Sequence, residues 1–414
     1  MYRLTGLESP DFSFRLSGED LEAHRFSVVI GANGTGKSRL LAHLAAGAMR
    51  PMEDRREEVG SRAPLVLAVS NLVIDSFPKP RAWNDSYRYL GLRQATNTVS
   101  TGSLNSSLGP YLVELMASWG TRIDLGPVLH HVGVGDYDIV VAKRVRPVGE
   151  VGTLERLAPS LDNFGLKPPR QAIEALDGEL SDVARDLDIS RSLGTGEVLG
   201  RRLASLATYF DLHPAILLVS LRRVYGLTLD VRFDGRLEAK HSGLSAGQAM
   251  LLSMVVRIAA AIRPGSLVLI DEPETGTHPD WQSSFIPMIK ETLPPEAASH
   301  FFIASHSPFL VSDANDVLRA DGSPLFEEVT SDVRGMSVEG ILYRIFGTRV
   351  VGNSAVDADL TRVVTWISGR EQGAQTPSDI IGAAIRLEGI SSEETPTVNA
   401  ILAELVRVRE RPAS

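Results

Sequence analysis

Residues 31–38, GANGTGKS, have the spacing G-x-x-x-x-G-K-S/T. They follow an apolar, strand-like run, RFSVVI, and precede LLAHLAAGAM, which reads as a helix. A phosphate-binding loop needs that context. Its glycines let backbone N–H groups turn inward around phosphate oxygens, and the helix N-terminus adds a favourable dipole. Gly31, Gly34 and Gly36 supply the turns around Asn33. Lys37 is placed to neutralise β- and γ-phosphate charge and Ser38 to hold Mg²⁺ through its hydroxyl. The bland alternative is a Gly-rich turn, but at average glycine usage the pattern arises by chance in only roughly one chain in 70 of this length.

A second stretch, SLVLIDEPETGTHP at 266–279, pairs an apolar run with two acids. Leu267 to Ile270 read as a buried parallel strand. It ends in Asp271-Glu272, and a carboxylate at the C-terminal end of such a strand sits where ligands bind in open α/β sheets. Asp271 can reach the metal through water, and Glu272 can polarise an attacking water. HFFIASHSP at 300–308 repeats the plan, with His306 beyond the strand. Its distance along the chain from Asp271 suits the next strand of the same sheet. His24, His43, His130, His131 and His213 have no such setting and read as structural or surface residues.

The elements that must position these groups follow from periodicity. Residues 1–30 read as short strands, and PLVLAVS at 64–70 as another. Residues 96–165 are rich in Gly, Ser, Asn and Pro and show no clear period, which predicts an insertion of loops and short elements. Ile173, Leu176, Leu180, Val183 and Leu187 recur at helical spacing, too briefly for a long coiled coil. LTLDVRF at 227–233 reads as a strand, strands and helices alternate from 244 to about 320, and the tail from 336 reads as helices. Its last apolar stripe is Val398, Ile401, Leu402, Leu405 and Val408.

Composition sets the bounds. The chain has 414 residues, 43% hydrophobic and 22% charged, which is ordinary for a globular protein. A net charge of −9 confines any nucleic-acid binding to a local patch. There are no cysteines, which excludes disulfides and thiolate metal sites. MYRLTGLESP lacks the charged-then-apolar pattern of a secretory leader. The run Met250 to Val256 is stopped by Arg257 and is too short to span a bilayer. The expectation is a soluble, cytoplasmic protein with no membrane partner.

One stretch remains: LSAGQ at 244–248, at the mouth of the helix AGQAMLLSMVVRIAAAI. In isolation it is a loop and an N-cap. In the order phosphate loop, LSxGQ, strand-end acids and downstream histidine, the chain resembles ABC-type ATPases, specifically the branch related to SMC, RecF and OLD-family proteins. Asn33 in GANGTGKS is typical of that branch. The resemblance covers roughly 20–50 and 240–315. It implies an α/β P-loop core, a mixed sheet flanked by helices, with a largely helical insertion and a helical C-terminal tail. The implied division is an N-terminal lobe at 1–95, the insertion at 96–240, a C-terminal lobe at 241–325 and the helical region at 326–414. Lys37 and Ser38 bind phosphate and Mg²⁺, Asp271 binds the metal, Glu272 is the base, and His306 senses the γ-phosphate. Thr277, His278 and Pro279 occupy the D-loop, and Gln94 in YLGLRQATN is the candidate Q-loop glutamine. The ligand is ATP. Ser245, Gly247 and Gln248 form a second phosphate-binding helix N-terminus, which in this class caps the nucleotide of a partner, so the resemblance implies a homodimer or a higher homo-oligomer.

Subtype follows from what surrounds the core. The long insertion and helical tail differ from a transporter subunit, and no heptad run is long enough for an SMC arm. Val338-Glu339-Gly340 and Asp357-Ala358-Asp359 superficially match the acids of a Toprim nuclease, but neither follows an apolar strand, and both read as helix beginnings. The chain resembles the stand-alone ATPases of anti-phage systems such as Septu, Septu-like retrons and PARIS, which work with a separately encoded effector nuclease of HNH or Toprim type. The alternative is a RecF-like DNA-binding repair ATPase. Its support would be basic clusters at Lys143, Arg144 and Arg146, at Lys167 and Arg170, and at Arg222 and Arg223, each of which also reads as a solvated face.

Overall fold

The structure is a computed structural model that describes residues 3–17, 23–49, 65–72, 74–80, 82–92, 101–142, 153–189, 195–234, 244–329, 333, 336–346, 354–369, 376–391 and 395–410. Its centre is a seven-stranded sheet. The strands are β3 (Arg25–Gly31), β4 (Val66–Ser70), β5 (Tyr87–Tyr89), β8 (Leu267–Asp271), β9 (His300–Ala304), β10 (Asp316–Ala320) and β11 (Glu327–Glu328), in the order β11–β10–β3–β9–β8–β4–β5. Six run parallel, and β11 closes one edge antiparallel to β10. Every residue of β4, β8 and β9 is buried. Such strands read as continuous apolar runs because helices cover both faces.

On one face α1 (Lys37–Ala48) packs Leu40, Leu41 and Leu44 against Val29, Leu269 and Phe302. The hairpin of β1 (Gly6–Glu8) and β2 (Ser13–Arg15) joins that core through Leu7 and Phe14. On the other face α8 (Ala246–Ala261) lies nearly wholly buried, with Leu251, Val255 and Ile258 in one continuous core with Val28, Ile270 and Ile303. The alternation expected from 244 to 320 is present, and His306 does follow the strand next to Asp271, since β8 and β9 pair directly with Asp271 opposite Ala304.

The stretch expected as loops and short elements is different. Residues 101–142 and 153–165 carry α2 (Thr101–Ser118), α3 (Gly126–His131), β6 (Tyr137–Val141) and α4 (Thr153–Asp162). α2 runs for 18 residues with Pro110 inside it. It packs between α8 and α6 (Thr195–Phe210). A helix covered on two sides has no polar face, so its sequence shows no amphipathic period. One glycine of that stretch is a close-contact position: a Cβ on Gly109 would lie 2.8 Å from Leu229 Cβ, whereas Gly120, Gly133 and Gly165 do sit in turns with positive φ. The helix expected at 171–187 is α5 (Arg170–Ile189), followed after α6 by α7 (Pro214–Tyr225) and by β7 (Leu229–Phe233), which pairs with β6.

The tail forms α11 (Val338–Arg344), α12 (Ser354–Gly369), α13 (Ser378–Ile390) and α14 (Pro396–Glu410). Both Toprim-like fragments lie near helix starts, Val338-Glu339-Gly340 at the beginning of α11 and Asp357-Ala358-Asp359 across the first two turns of α12. Asp359 is wholly buried and paired with Arg362 and Arg386, a structural ion pair. The two apolar stripes are used internally. Leu176, Leu180, Val183 and Leu187 enter the main core, and Val398, Leu402 and Leu405 enter a separate core with Val363 and Leu387. No single helix among the described residues is long and apolar enough to cross a membrane.

The strand that leads into the phosphate loop is locked by a buried polar cluster. Asp316 on β10 accepts from Arg25 Nε at 2.7 Å and Ser27 Oγ at 2.6 Å, both on β3. Ser27 Oγ also lies 2.9 Å from His300 Nε2, while His300 Nδ1 accepts from the Leu4 N–H, so Nε2 carries the proton. Burial, with Arg25 and Arg3 nearby, pushes the His300 pKa down to about 3, which keeps the ring neutral. Asp316→Ala strands the Arg25 guanidinium in the interior without its carboxylate. Removing one partner of a buried pair costs about 3–5 kcal/mol, so urea unfolding should show a loss of that size. A loss below about 1 kcal/mol would contradict the lock.

Candidate nucleotide site

β3 ends at Gly31 with φ 155°, and a Cβ there would lie 2.3 Å from the Ala320 carbonyl oxygen on the neighbouring strand. The chain then turns through Gly34 (φ 83°) and Gly36 (φ 99°), both left-handed. Asn33 and Gly34 are exposed at the loop's tip. Gly36 immediately precedes α1 and supplies no side-chain cap. The first-turn N–H groups therefore remain available to an anionic ligand, which is how such loops hold phosphate.

Lys37 starts α1 and folds back. Its Nζ donates to the carbonyls of Gly31 at 2.9 Å and Ala32 at 3.0 Å and lies 2.9 Å from His306 Nε2. Burial lowers the Lys37 pKa, opposed by the charges of Glu272, Asp271 and Glu274. Burial, then the Lys37 charge, also lowers the His306 pKa. His306 is thus a neutral acceptor for the ammonium. Its 3.6 Å approach to Glu272 Oε1 is a contact of a neutral ring with a carboxylate. Ser38 Oγ donates to Asp271 Oδ1 at 2.9 Å. Burial is the main cause that pushes the Asp271 pKa up to about 6, and the nearby carboxylates add to it. A hydroxyl and a carboxylate held together are hard oxygen donors of the kind Mg²⁺ takes alongside substrate phosphates, so these residues fit that metal.

Glu272 has a left-handed backbone, φ 48°, and its N–H donates to the Ala304 carbonyl of β9 at 2.9 Å. A non-glycine residue in that region costs on the order of 1–3 kcal/mol, and such strain clusters at functional sites. Five of the residues singled out in the sequence, Lys37, Ser38, Asp271, Glu272 and His306, are brought together. Ser245, Gly247 and Gln248 form a separate group. Ser245 is exposed and caps α8: its Oγ accepts from the Gln248 N–H at 3.3 Å, while Gln248 Oε1 accepts from the Ser245 N–H at 2.7 Å. Gln248 Nε2 also donates to the Val132 carbonyl. Gly247 is buried against the loop after β8, where a Cβ would lie 2.5 Å from the Gly276 oxygen and 2.9 Å from Trp281. His278 and Pro279 begin α9 (Pro279–Thr292), with the His278 ring as its cap, and Thr277 Oγ1 donates back to the Glu274 carbonyl. Gln94 and the cluster Lys143, Arg144 and Arg146 lie outside the described residues. Lys167 and Arg170 are exposed and paired with Asp162 and Glu174, as a solvated face requires.

Sequence reasoning missed two groups. Glu274 is an acid beyond the Asp-Glu pair, and its carboxylate contacts the His306 turn. Arg257, which seemed only to interrupt an apolar helix, is fully buried. It donates to the carbonyls of Ser253 and Leu90 and to Asn71 Oδ1 at 2.7 Å, tying α8 to the ends of β4 and β5. Burial pulls its pKa down to about 10, still charged at neutral pH. The signal for it was a lone cation inside a run otherwise apolar on every face.

A family model described as "AAA domain, putative AbiEii toxin, Type IV TA system" matches residues 171–312. No curated protein matches the chain in sequence. Among solved structures, the ATP-binding cassette of an ABC transporter in its ADP conformation aligns at 11% identity and TM-score 0.32, over 82% of this chain and 92% of that one. UvrA2 from Deinococcus radiodurans aligns at 16% identity and TM-score 0.27, over 77% of this chain and 35% of that one. The mostly parallel sheet with helices on both faces, the glycine loop between β3 and α1 and the acids at the end of β8 make this an α/β P-loop fold with largely helical additions at 101–234 and 338–410.

The Gly31 packing is directly testable. Gly31→Ala forces a methyl group into the Ala320 carbonyl, an overpacking that costs about 1–3 kcal/mol, and it reshapes the loop. Chemical denaturation should show that loss, and titration with a non-hydrolysable ATP analogue should show weakened binding. A variant as stable and as tightly binding as the parent would contradict the close approach.

Proposed function

We propose that this protein is an ATP-hydrolysing ABC-type ATPase that works as a dimer with composite nucleotide sites. The observation that carries the reading is the convergence of Lys37, Ser38, Asp271, Glu272 and His306 beside an uncapped helix N-terminus. The backbone N–H groups of residues 31–38 cradle the phosphates. Lys37 exchanges its carbonyl partners for phosphate oxygens. Ser38 and Asp271, paired here at 2.9 Å, would hold Mg²⁺, which when bound would neutralise charge on the phosphoryl oxygens. Glu272 orients the attacking water and accepts its proton, and His306 contacts the γ-phosphate.

The exposed cap at Ser245 supports the dimer. A helix N-terminus at the surface, satisfied by its own side chains, is ready to meet phosphate held by another copy. On this reading the lobes at 1–95 and 241–325 form the ATPase core, with the insertion at 96–240 and the tail at 326–414 as its additions. The finer reading is that the protein restrains or scaffolds a separately encoded effector nuclease in anti-phage defence. The toxin–antitoxin wording of the matching family model supports it. Co-expression with the products of neighbouring genes, followed by pull-down and sizing, tests it. A protein that stays a lone dimer with no co-purifying neighbour would end this part of the reading.

Glu272→Gln should leave nucleotide binding intact and slow hydrolysis by about 10² to 10⁴-fold, the range for a positioned acid–base group. It should also accumulate the ATP-bound dimer, visible by sizing. Unchanged turnover would show that another group is the base. Ser245→Arg puts a bulky cation at the surface cap, and loss of an N-cap costs only about 1 kcal/mol. Each protomer should still bind ATP while steady-state hydrolysis disappears. Normal hydrolysis by this variant would exclude the composite site.

A further inference from the structure

We infer that Glu274 is a positioning residue that holds His306 beside Lys37 and ties that contact to the signature turn at Gly247; the inference rests on the ATPase reading above. The Glu274 carboxylate bridges two loops, one after β8 and one after β9. Its Oε1 accepts from the His306 backbone N–H at 2.5 Å and from Ser305 Oγ at 2.8 Å. Ser305 Oγ in turn accepts from the Ser307 N–H, and Ser307 Oγ donates to Gln282 Oε1 on α9. The turn 305–307 is therefore clamped to the segment 274–282 at both ends. Its outcome is the placement of the His306 ring, 2.9 Å from Lys37 Nζ and 3.6 Å from Glu272.

The other end of the segment reaches the signature. The Glu274 carbonyl accepts from both the N–H and the Oγ1 of Thr277, which closes a tight turn around Gly276. The Gly276 oxygen is the atom against which Gly247 packs too closely for any side chain. A continuous set of contacts thus runs from Gly247 through Gly276 and Glu274 to His306 and Lys37. Gly276 and Ser245 are both exposed.

The chemistry of Glu274 separates this role from that of a base. Its second oxygen, Oε2, is buried without a hydrogen-bond partner, so the group acts through one acceptor oxygen. A glutamine offers the same Oε1 and no charge. The experiment compares ATP turnover and ATP-analogue affinity in the full-length parent, Glu274→Gln and Glu274→Ala. Glu274→Ala should lose about 10 to 100-fold in kcat, the scale of a misplacement near 1 Å, with affinity kept. Glu274→Gln should recover most of that loss. Parental kcat in the alanine variant overturns the inference, as does a glutamine variant as slow as the alanine one, or an affinity loss that matches the loss of turnover. If Glu274→Ala does not fold, Ser305→Ala removes one of the two donors and should lower kcat at constant affinity; full turnover overturns the inference. A parent protein that neither binds nor hydrolyses ATP overturns the ATPase reading and this inference together, whereas an active parent with indifferent variants overturns the inference alone.

Discussion

Asp271, Glu272 and Glu274 crowd the end of one strand, and the ammonium of Lys37 is set against all three. Burial raises the cost of each unbalanced charge there, because Coulomb interactions strengthen as water is excluded. The structure answers by giving each acid a different partner. Asp271 takes the Ser38 hydroxyl, Glu274 takes the backbone and hydroxyl of the His306 turn, and Glu272 stays partly exposed beside a neutral histidine. An incoming triphosphate would add more negative charge, so Lys37 alone could not balance the site. A divalent cation at Ser38 and Asp271, as proposed above, would supply the missing positive charge to donors of the right type.

The parallel register of β3, β9 and β8 makes this crowding possible. Each strand ends at the same edge, so the residue after each end arrives in one place although the three lie far apart in the chain. That register needs a polar lock of its own, since strands buried on both faces carry few side chains that distinguish one neighbour from another. Arg25, Ser27, His300 and Asp316 supply it at the opposite end of β3, β9 and β10. One end of the sheet holds a satisfied polar cluster that fixes the alignment. The other holds a strained and incompletely satisfied one, with Glu272 left-handed and Glu274 Oε2 unpartnered.

Much of this was legible in the sequence because local rules and long-range structure agreed. GANGTGKS lies between a strand and a helix, and Leu267 to Ile270 are apolar because both sides of β8 are covered. The same covering hid α2. A helix packed between two others needs small residues where backbones approach, and Gly109 is such a position that imitates a loop. Glu274 escaped notice because nothing in its spacing distinguishes an acid that accepts hydrogen bonds from one that meets solvent. Arg257 escaped because a buried cation satisfied by carbonyls and an amide needs no acid at a recognisable interval.

The two helix N-termini of the core differ in a way that assigns them to different tasks. α1 begins after a glycine, without a side-chain cap, at the exposed glycine loop. α8 begins with a complete capping box, and its cap residue faces outward. An end already satisfied is stable in an isolated chain, and it would give up little were a phosphate on another copy to replace the Gln248 and Ser245 contacts. The uncapped end, by contrast, gains most from binding. On the reading proposed above, a core that holds its nucleotide alone and closes on a partner only afterwards would use this asymmetry, with the tight site on α1 and the exchangeable one on α8.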